Sequence, residues 1–253
     1  MSNSQQVHME LLDQTLHFLG KNRIETNILQ IGANDGHLYD DIRAYISMYE
    51  WGGVFIEPIP EYFEKLKDNC KHSNNHIFEN CAISNYDGSM EMLYISLKDV
   101  EENDLHPGYQ GMACFLPAKN GFGSDYLRDK EVKNKYGKFI NIPVLTLDSV
   151  IKKHNINKID LLISDTEGHE HVVFNQFDFS KFRPKAIHLE WINCKEDELK
   201  EIINKLKNNN YIFEFISENL NAIDKNLWDI VYRTLSDDQK KVEIKSTLPD
   251  FKK

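Results

Sequence analysis

At 253 residues, 41% of them hydrophobic, the chain is long enough to bury one large core and short enough to form a single α/β domain. With 40 acidic against 30 basic residues, its formal net charge of -10 opposes nonspecific attraction to phosphate backbones and anionic membrane surfaces, so nucleic acid is not an expected partner. Met1 to Gln6 lack the basic-then-apolar layout of a signal peptide, no apolar run approaches the ~20 residues of a membrane span, and Cys70, Cys81, Cys114 and Cys194 form no C-x-x-C pair; the expectation is a cytoplasmic protein with reduced thiols.

Leu11, Leu12, Leu16 and Leu19 recur at helical spacing and predict an amphipathic first helix from His8 to Leu19, with Gly20 as its stop. Ile28, Leu29 and Ile31 form a short apolar run ending at Gly32, after which Leu38, Ile42, Tyr45, Ile46 and Tyr49 follow a helical period. Strand, tight turn and helix is the predicted order. Val54 to Ile56 reads as a second buried strand, and Pro60 opens a helix carrying Tyr62, Phe63 and Leu66. Ile77-Phe78 is a third strand leading to Ala82-Ile83, and the Asp87-Gly88 turn feeds the alternating Met90, Met92 and Tyr94.

Between Lys98 and Lys138 the hydrophobic period is lost, so residues 98–138 are predicted as one long loop, either disordered or a substrate-binding lid, with Gly108 to Met112, Phe115 and Phe122 as its core composition. Phe139 to Leu145, Ile159 to Ile163 and Ala186 to Leu189 read as further strands, with a short helix over Leu147 to Lys153 and an amphipathic one carrying Leu199, Ile202, Ile203 and Leu206. Tyr211 to Ile216 and Ile230 to Tyr232 are predicted to pair as antiparallel edge strands. Residues 236–253 read as a polar tail, leaving 1–235 as one domain. The expected fold is α/β and Rossmann-like: a mostly parallel seven-stranded sheet with an antiparallel edge pair and helices on both faces. Ligands of such sheets sit beyond the carboxyl ends of the strands.

Three clusters at predicted strand ends could carry chemistry. Gly32, Ala33, Asn34, Asp35 and Gly36 form a glycine turn after the first strand, where glycine permits positive φ and close approach and a following helix would aim free N–H groups at an anion. Glu57-Pro58 ends the second strand about 20 residues later, the spacing at which an acid accepts from ribose hydroxyls. Asn34 stands where a dinucleotide-binding G-x-G-x-x-G has its second glycine, which favours a cofactor with an amino-acid end over one with a diphosphate. The third cluster, Asp165, Thr166, Glu167, Gly168, His169 and Glu170, follows a buried strand and concentrates groups that are costly to desolvate unless used or exposed. Asn80, Cys81 and Ala82, after the third strand, are candidates for packing on adenine.

The Gly32-Ala33-Asn34-Asp35-Gly36 turn, Phe55-Ile56-Glu57-Pro58, Val144-Leu145-Thr146-Leu147-Asp148 and Ile159-Asp160-Leu161-Leu162 through Glu170, in this order, resemble the FkbM family over roughly Ile28 to Trp191. The resemblance implies a class I fold and an S-adenosylmethionine-dependent O-methyltransferase acting on hydroxyls of sugars, glycans or secondary metabolites. It implies cofactor contacts from Gln30, Gly32, Ala33, Asn34, Asp35, Gly36, Glu57, Pro58, Asn80, Cys81, Ala82 and Asp165. Two positions depart from the family: an acid usually stands at Gln30, and a lysine usually stands near Ile163-Ser164.

Asp165 is expected to orient cofactor or acceptor and His169, one helical turn on, to take the proton, with Glu167 as the third catalytic candidate. No spacing among Asp165, Glu167, His169 and Glu190 is diagnostic of a divalent metal, and none is expected. His169 and His171 are expected to divide into one inward and one solvated ring. The competing readings are an NAD-dependent oxidoreductase or epimerase and a Rossmann-like binding module without catalysis.

Overall fold

The computed structural model describes residues 11–38, 40, 42–71, 75–115, 127–237, 239–241 and 248–249. The first half of the main sheet is built from α1 (Leu11–Lys21), β1 (Asn27–Ile31), α2 (Arg43–Met48), β2 (Gly52–Ile56), α3 (Pro60–Cys70) and β3 (His76–Glu79). The chain then leaves that sheet for β4 (Ala82–Ile83), β5 (Gly88–Ile95), α4 (Leu97–Glu102), a 3-10 turn (Pro107–Gln110), β6 (Cys114–Phe115), α5 (Leu127–Tyr136) and β7 (Gly137–Leu145). It returns through α6 (Leu147–Lys153), β8 (Leu161–Ser164), α7 (Glu170–Gln176), β9 (Ala186–Glu190), α8 (Glu196–Asn208), β10 (Tyr211–Ile216), β11 (Asn219–Asp224) and α9 (Lys225–Thr234).

Seven strands form the main sheet in the order β10-β11-β9-β8-β1-β2-β3. The five from β9 to β3 are parallel, and β11 runs antiparallel to both β9 and β10. Because successive side chains alternate faces, each apolar strand feeds two cores. Leu29, Ile31, Val54, Ile56 and Leu162 pack with Leu147, Phe174, Leu199 and Ile202 of α6, α7 and α8. Ile28, Phe55, Leu161 and Ile163 pack on the other face with Leu11, Leu16 and Leu19 of α1, Ile46 of α2 and Leu66 of α3. The chain enters at β1, winds outward to β3 and resumes at β8 on the other side of β1, so strand order reverses between β1 and β8. This is the Rossmann-like, mostly parallel seven-stranded sheet that the sequence predicts, with β10 and β11 as its antiparallel edge pair. None of the described helices is long and apolar enough to cross a membrane.

Four sequence expectations need correcting. Ile230 to Tyr232 lies on α9, and the edge partner of β10 is β11. Asp224 decides this: its Oδ1 accepts from the backbone N–H of Asn226 (2.8 Å) and Leu227 (3.2 Å), starting a helix that buries Val231 and leaves Ile230 and Tyr232 exposed. Gly20 does not stop α1 but lies within it, where any side chain would collide with the Tyr49 ring. The helical period read over Leu38, Ile42, Tyr45, Ile46 and Tyr49 becomes a helix only over Arg43–Met48.

The fourth concerns residues 98–138, which are not one loop. β4, β7, β5 and β6 form a second sheet in that order, and Leu93, Ile95, Val100, Tyr109, Cys114 and Val132 share a small core of their own. Two of the elements within 98–138 are too short for hydrophobic period to reveal, since α4 has 6 residues and β6 has 2. Ser96 caps α4 by accepting from Asp99 N–H at 3.2 Å. Residues 116–126, with Pro117 and Phe122, lie outside the described residues, as do His8 to Glu10 and most of the 236–253 tail.

Asp224 also accepts from Arg183 Nε. Asp224→Ala is therefore expected to lower unfolding free energy by about 1–2 kcal/mol, most of it the cap, while Asp224→Asn retains the larger part. Urea denaturation checks this; equal losses in both variants would refute the capping role.

Candidate active site

The end of β1 bends over β2 because the N–H groups of Gly32 and Ala33 both donate to Ile56 O, at 3.0 and 2.9 Å. Gly32 has φ +82°, and a Cβ there would sit 1.6 Å from the Asp165 carbonyl oxygen, so only glycine lets the ends of β1 and β8 approach. Asn34 follows in the left-handed region with φ 48°. Its N–H donates to Glu57 Oε2 at 2.8 Å, and Ile59 N–H donates to Glu57 Oε1 at 2.8 Å. Glu57 is 4% exposed. Burial pushes its pKa up to about 8, against the lowering effect of the two N–H donors, and Asp165 and Asp35 add to the rise.

Asp35 and Gly36 shape the turn from behind. Asp35 Oδ1 accepts from His37 N–H (2.9 Å) and Leu38 N–H (2.8 Å), and Gly36 packs against Leu66 and Cys70. Asn80 likewise braces, donating to the carbonyls of Glu57 (2.8 Å) and Pro58 (3.0 Å). Neither Asp35, Gly36 nor Asn80 lines the cavity that opens over the strand ends.

That cavity, of about 480 Å³, is lined by Gln30, Gly32, Ala33, Asn34, Glu57, Pro58, Cys81, Ala82, Asp165 and Glu167. Sequence reasoning missed several other lining residues. Asp40 accepts from Gln30 Nε2 at 3.2 Å and brings a carboxylate next to the position where the family usually has an acid. His188 shares a row across the sheet with Gln30 and Ile163 and bonds Asn221 through Nδ1 at 2.7 Å. Gln110 on the 3-10 turn and Phe115 on β6 also line the cavity, and both fall within the stretch that the sequence marked as a lid. A one-residue offset along β9 or a folded-back insertion leaves no signal in the sequence, although the acid ending β9 repeats the strand-end pattern of Glu57. A larger hollow, about 810 Å³, lies at the opposite ends of β1 and β2 around Lys21, Arg23, Trp51 and Lys158, away from these clusters.

The acid-rich end is held by Glu170, which is fully buried. Its Oε1 accepts from Thr166 N–H (2.7 Å) and Thr166 Oγ1 (2.8 Å), and its Oε2 accepts from Gly168 N–H (3.0 Å). Glu167 (φ 52°) and Gly168 (φ 100°) are both left-handed, which turns the Glu167 carboxylate toward the cavity beside Glu190. Asn193 Nδ2 donates to Glu167 Oε2 and Glu190 Oε2, each at 3.0 Å. Burial, then the neighbouring carboxylates, push both pKa values far up. Asp165, Glu170 and Glu190 each bring an oxygen within 4.8 Å of the others, but both Glu170 oxygens are engaged by the turn.

His169 stands apart from this group. Its ring meets Phe115 edge-on at 4.8 Å, its buried Nε2 has no hydrogen-bond partner among the described residues, and burial lowers its pKa to about 4. It does not line the cavity. His171 instead contacts Glu201 at 2.7 Å on the exposed side of α7.

Residues 30–213 match the Methyltransferase FkbM domain. The chain belongs to the FkbM methyltransferase family. Among solved structures, an FkbM methyltransferase from Methylobacillus flagellatus KT is similar at 11% identity and TM-score 0.46, over 79% of this chain and 44% of that one. This chain thus spans under half the length of that FkbM protein. A precorrin-6y C5,15-methyltransferase from Geobacter metallireducens GS-15 is similar at 12% identity and TM-score 0.36, over 88% of this chain and 94% of its own. A ribosomal protein L11 methylase from Lactobacillus delbrueckii subsp. bulgaricus is similar at 12% identity and TM-score 0.35, over 83% and 77%. No curated protein matches the chain.

In this FkbM-family chain the folded state holds the Glu57 proton more tightly than the unfolded chain does, with pKa about 8 against 4.5. Stability from protonated Glu57 is fully present below 4.5 and is lost as pH rises through about 8. The Tm of the ligand-free protein should fall more steeply across that window in the wild type than in Glu57→Gln; parallel curves would show that burial does not hold the proton.

Proposed function

We propose that this chain is an S-adenosylmethionine-dependent O-methyltransferase that methylates a hydroxyl of a sugar, glycan or secondary metabolite. The observation that carries the cofactor reading is the acid-rich lining of the cavity, whose carboxyls a bound cation would hold ionised. Asp40, Glu57, Asp165, Glu167, Glu190 and Glu218 line it, and no lysine or arginine does so among the described residues. Such a site suits a cationic sulfonium with an ammonium group and opposes the diphosphate of NAD. Glu57 at the end of β2 stands where ribose hydroxyls would donate to it, and Pro58, Cys81, Ala82 and Ile83 offer the apolar surface an adenine needs.

Methyl transfer breaks the bond from sulfur to methyl, forms one from methyl to the acceptor oxygen, and requires that the hydroxyl lose its proton. Most of the acceleration comes from holding the oxygen in line with the methyl group. Asp165, exposed at the end of β8, orients cofactor or acceptor. For the proton, the reading moves from His169 to Glu167, because Glu167 faces the cavity, where a bound sulfonium would hold it ionised, and His169 sits behind Phe115. His106, Gly108, Gln110, Gly111, Ala113 and Phe115 form the acceptor-side roof, within the segment expected to bind the acceptor. Four buried free cysteines support a reducing, cytoplasmic setting. A divalent metal is not part of the reading, and turnover should be unchanged by EDTA followed by dialysis.

Isothermal titration should show micromolar binding of S-adenosylhomocysteine, weakened at least about tenfold in Glu57→Ala, where two buried N–H donors lose their acceptor. Binding of NAD alone would overturn the proposal. With an accepted acceptor in hand, Glu167→Gln should lower kcat by about 10²-fold, whereas His169→Phe should retain most activity; the reverse ranking would return the base role to His169.

A further inference from the structure

The 3-10 turn Pro107–Gln110 is anchored on one side and functional on the other. Tyr109 is buried with Leu93, Ile95 and Val100, and the turn is closed by Tyr109 N–H donating to His106 O and Gly111 N–H donating to Gly108 O, each at 3.0 Å. The turn therefore holds its shape without help from the cavity. Gln110, only 4% exposed, points the other way, and its Nε2 donates to Asn34 Oδ1 at 2.9 Å across 76 residues of chain. Both side chains line the cavity.

An asparagine amide carries one acceptor oxygen and two N–H donors. With its oxygen facing Gln110 and its backbone N–H committed to Glu57, the donors that Asn34 can offer a ligand are its side-chain N–H groups. We propose that Gln110 is a positioning residue for the cofactor: by holding the Asn34 oxygen it presents the Asn34 amide N–H groups to the carboxylate of the cofactor's amino-acid end. This rests on the S-adenosylmethionine reading above and adds to it a residue from the 3-10 turn. The roof over the acceptor and the glycine turn under the cofactor are then joined through one side-chain pair.

Titration calorimetry with S-adenosylhomocysteine and with 5′-methylthioadenosine, which keeps the nucleoside and sulfur but lacks the amino-acid end, tests the assignment. Gln110→Ala should weaken S-adenosylhomocysteine about fivefold to tenfold and leave 5′-methylthioadenosine binding unchanged. Gln110→Asn, too short to reach Asn34, should behave the same way and replaces the alanine variant if that one proves unstable. Adding Gln110→Ala to Asn34→Ala should cost nothing further. Wild-type affinity for S-adenosylhomocysteine in both Gln110 variants would overturn the inference, as would a proportional loss of both ligands, which is the mark of a merely structural role. A wild-type protein that binds neither ligand would instead overturn the cofactor reading, and this inference with it.

Discussion

The carboxylate of Glu57 accepts from the backbone of Asn34 on one side and of Ile59 on the other while almost wholly removed from water. It is the joint through which the glycine turn after β1 is fixed to the end of β2. Removing it would leave two buried N–H groups without acceptors, a loss larger than the net worth of the bonds themselves. Asn34, once fixed, offers its side-chain oxygen to Gln110 and so ties the glycine turn to the 3-10 turn. The order of dependence runs from a buried acid, through a left-handed asparagine, to the roof of the cavity.

The other side of the cavity is organised by a different economy of charge. Glu170 spends both oxygens on the backbone and hydroxyl of the turn it braces, which holds Glu167 and Gly168 in left-handed conformations. Glu167 and Glu190 are left side by side, sharing one Asn193 amide, with no cation in reach among the lining residues. Carboxyls so placed hold protons against the pull of neutral pH, since desolvation and mutual repulsion act in the same direction. A positively charged ligand favours the ionised carboxylates and so opposes both effects, which links the proposed cofactor to the protonation state of its own site.

The sheet was legible because buried parallel strands write their position as short apolar runs, and Ile28 to Ile31, Val54 to Ile56 and Leu161 to Ile163 do so plainly. Glu57 and Asp165 were legible for the opposite reason, as acids that break such runs at their ends. Ile230 and Tyr232 misled because their alternation mimics a strand, while the Asp224 cap that makes them helical acts from six residues before Ile230. Residues 98–138 misled because α4, the 3-10 turn and β6 are stabilised by packing on Tyr109 and Val100 and carry no period of their own.

By itself the sequence determined the α/β class, the order of the parallel strands' apolar runs, the glycine turn and the acids at the strand ends, because each is encoded by neighbours within a few residues. Only the tertiary structure decided which of those residues face a common cavity. His169 is turned away behind Phe115, while Asp40, Gln110, His188 and Glu190 are brought in. The reason is that the facing direction of a side chain at a strand end is set by the turn that follows and by what packs over it, and here that cover comes from a second sheet folded back across many residues of chain.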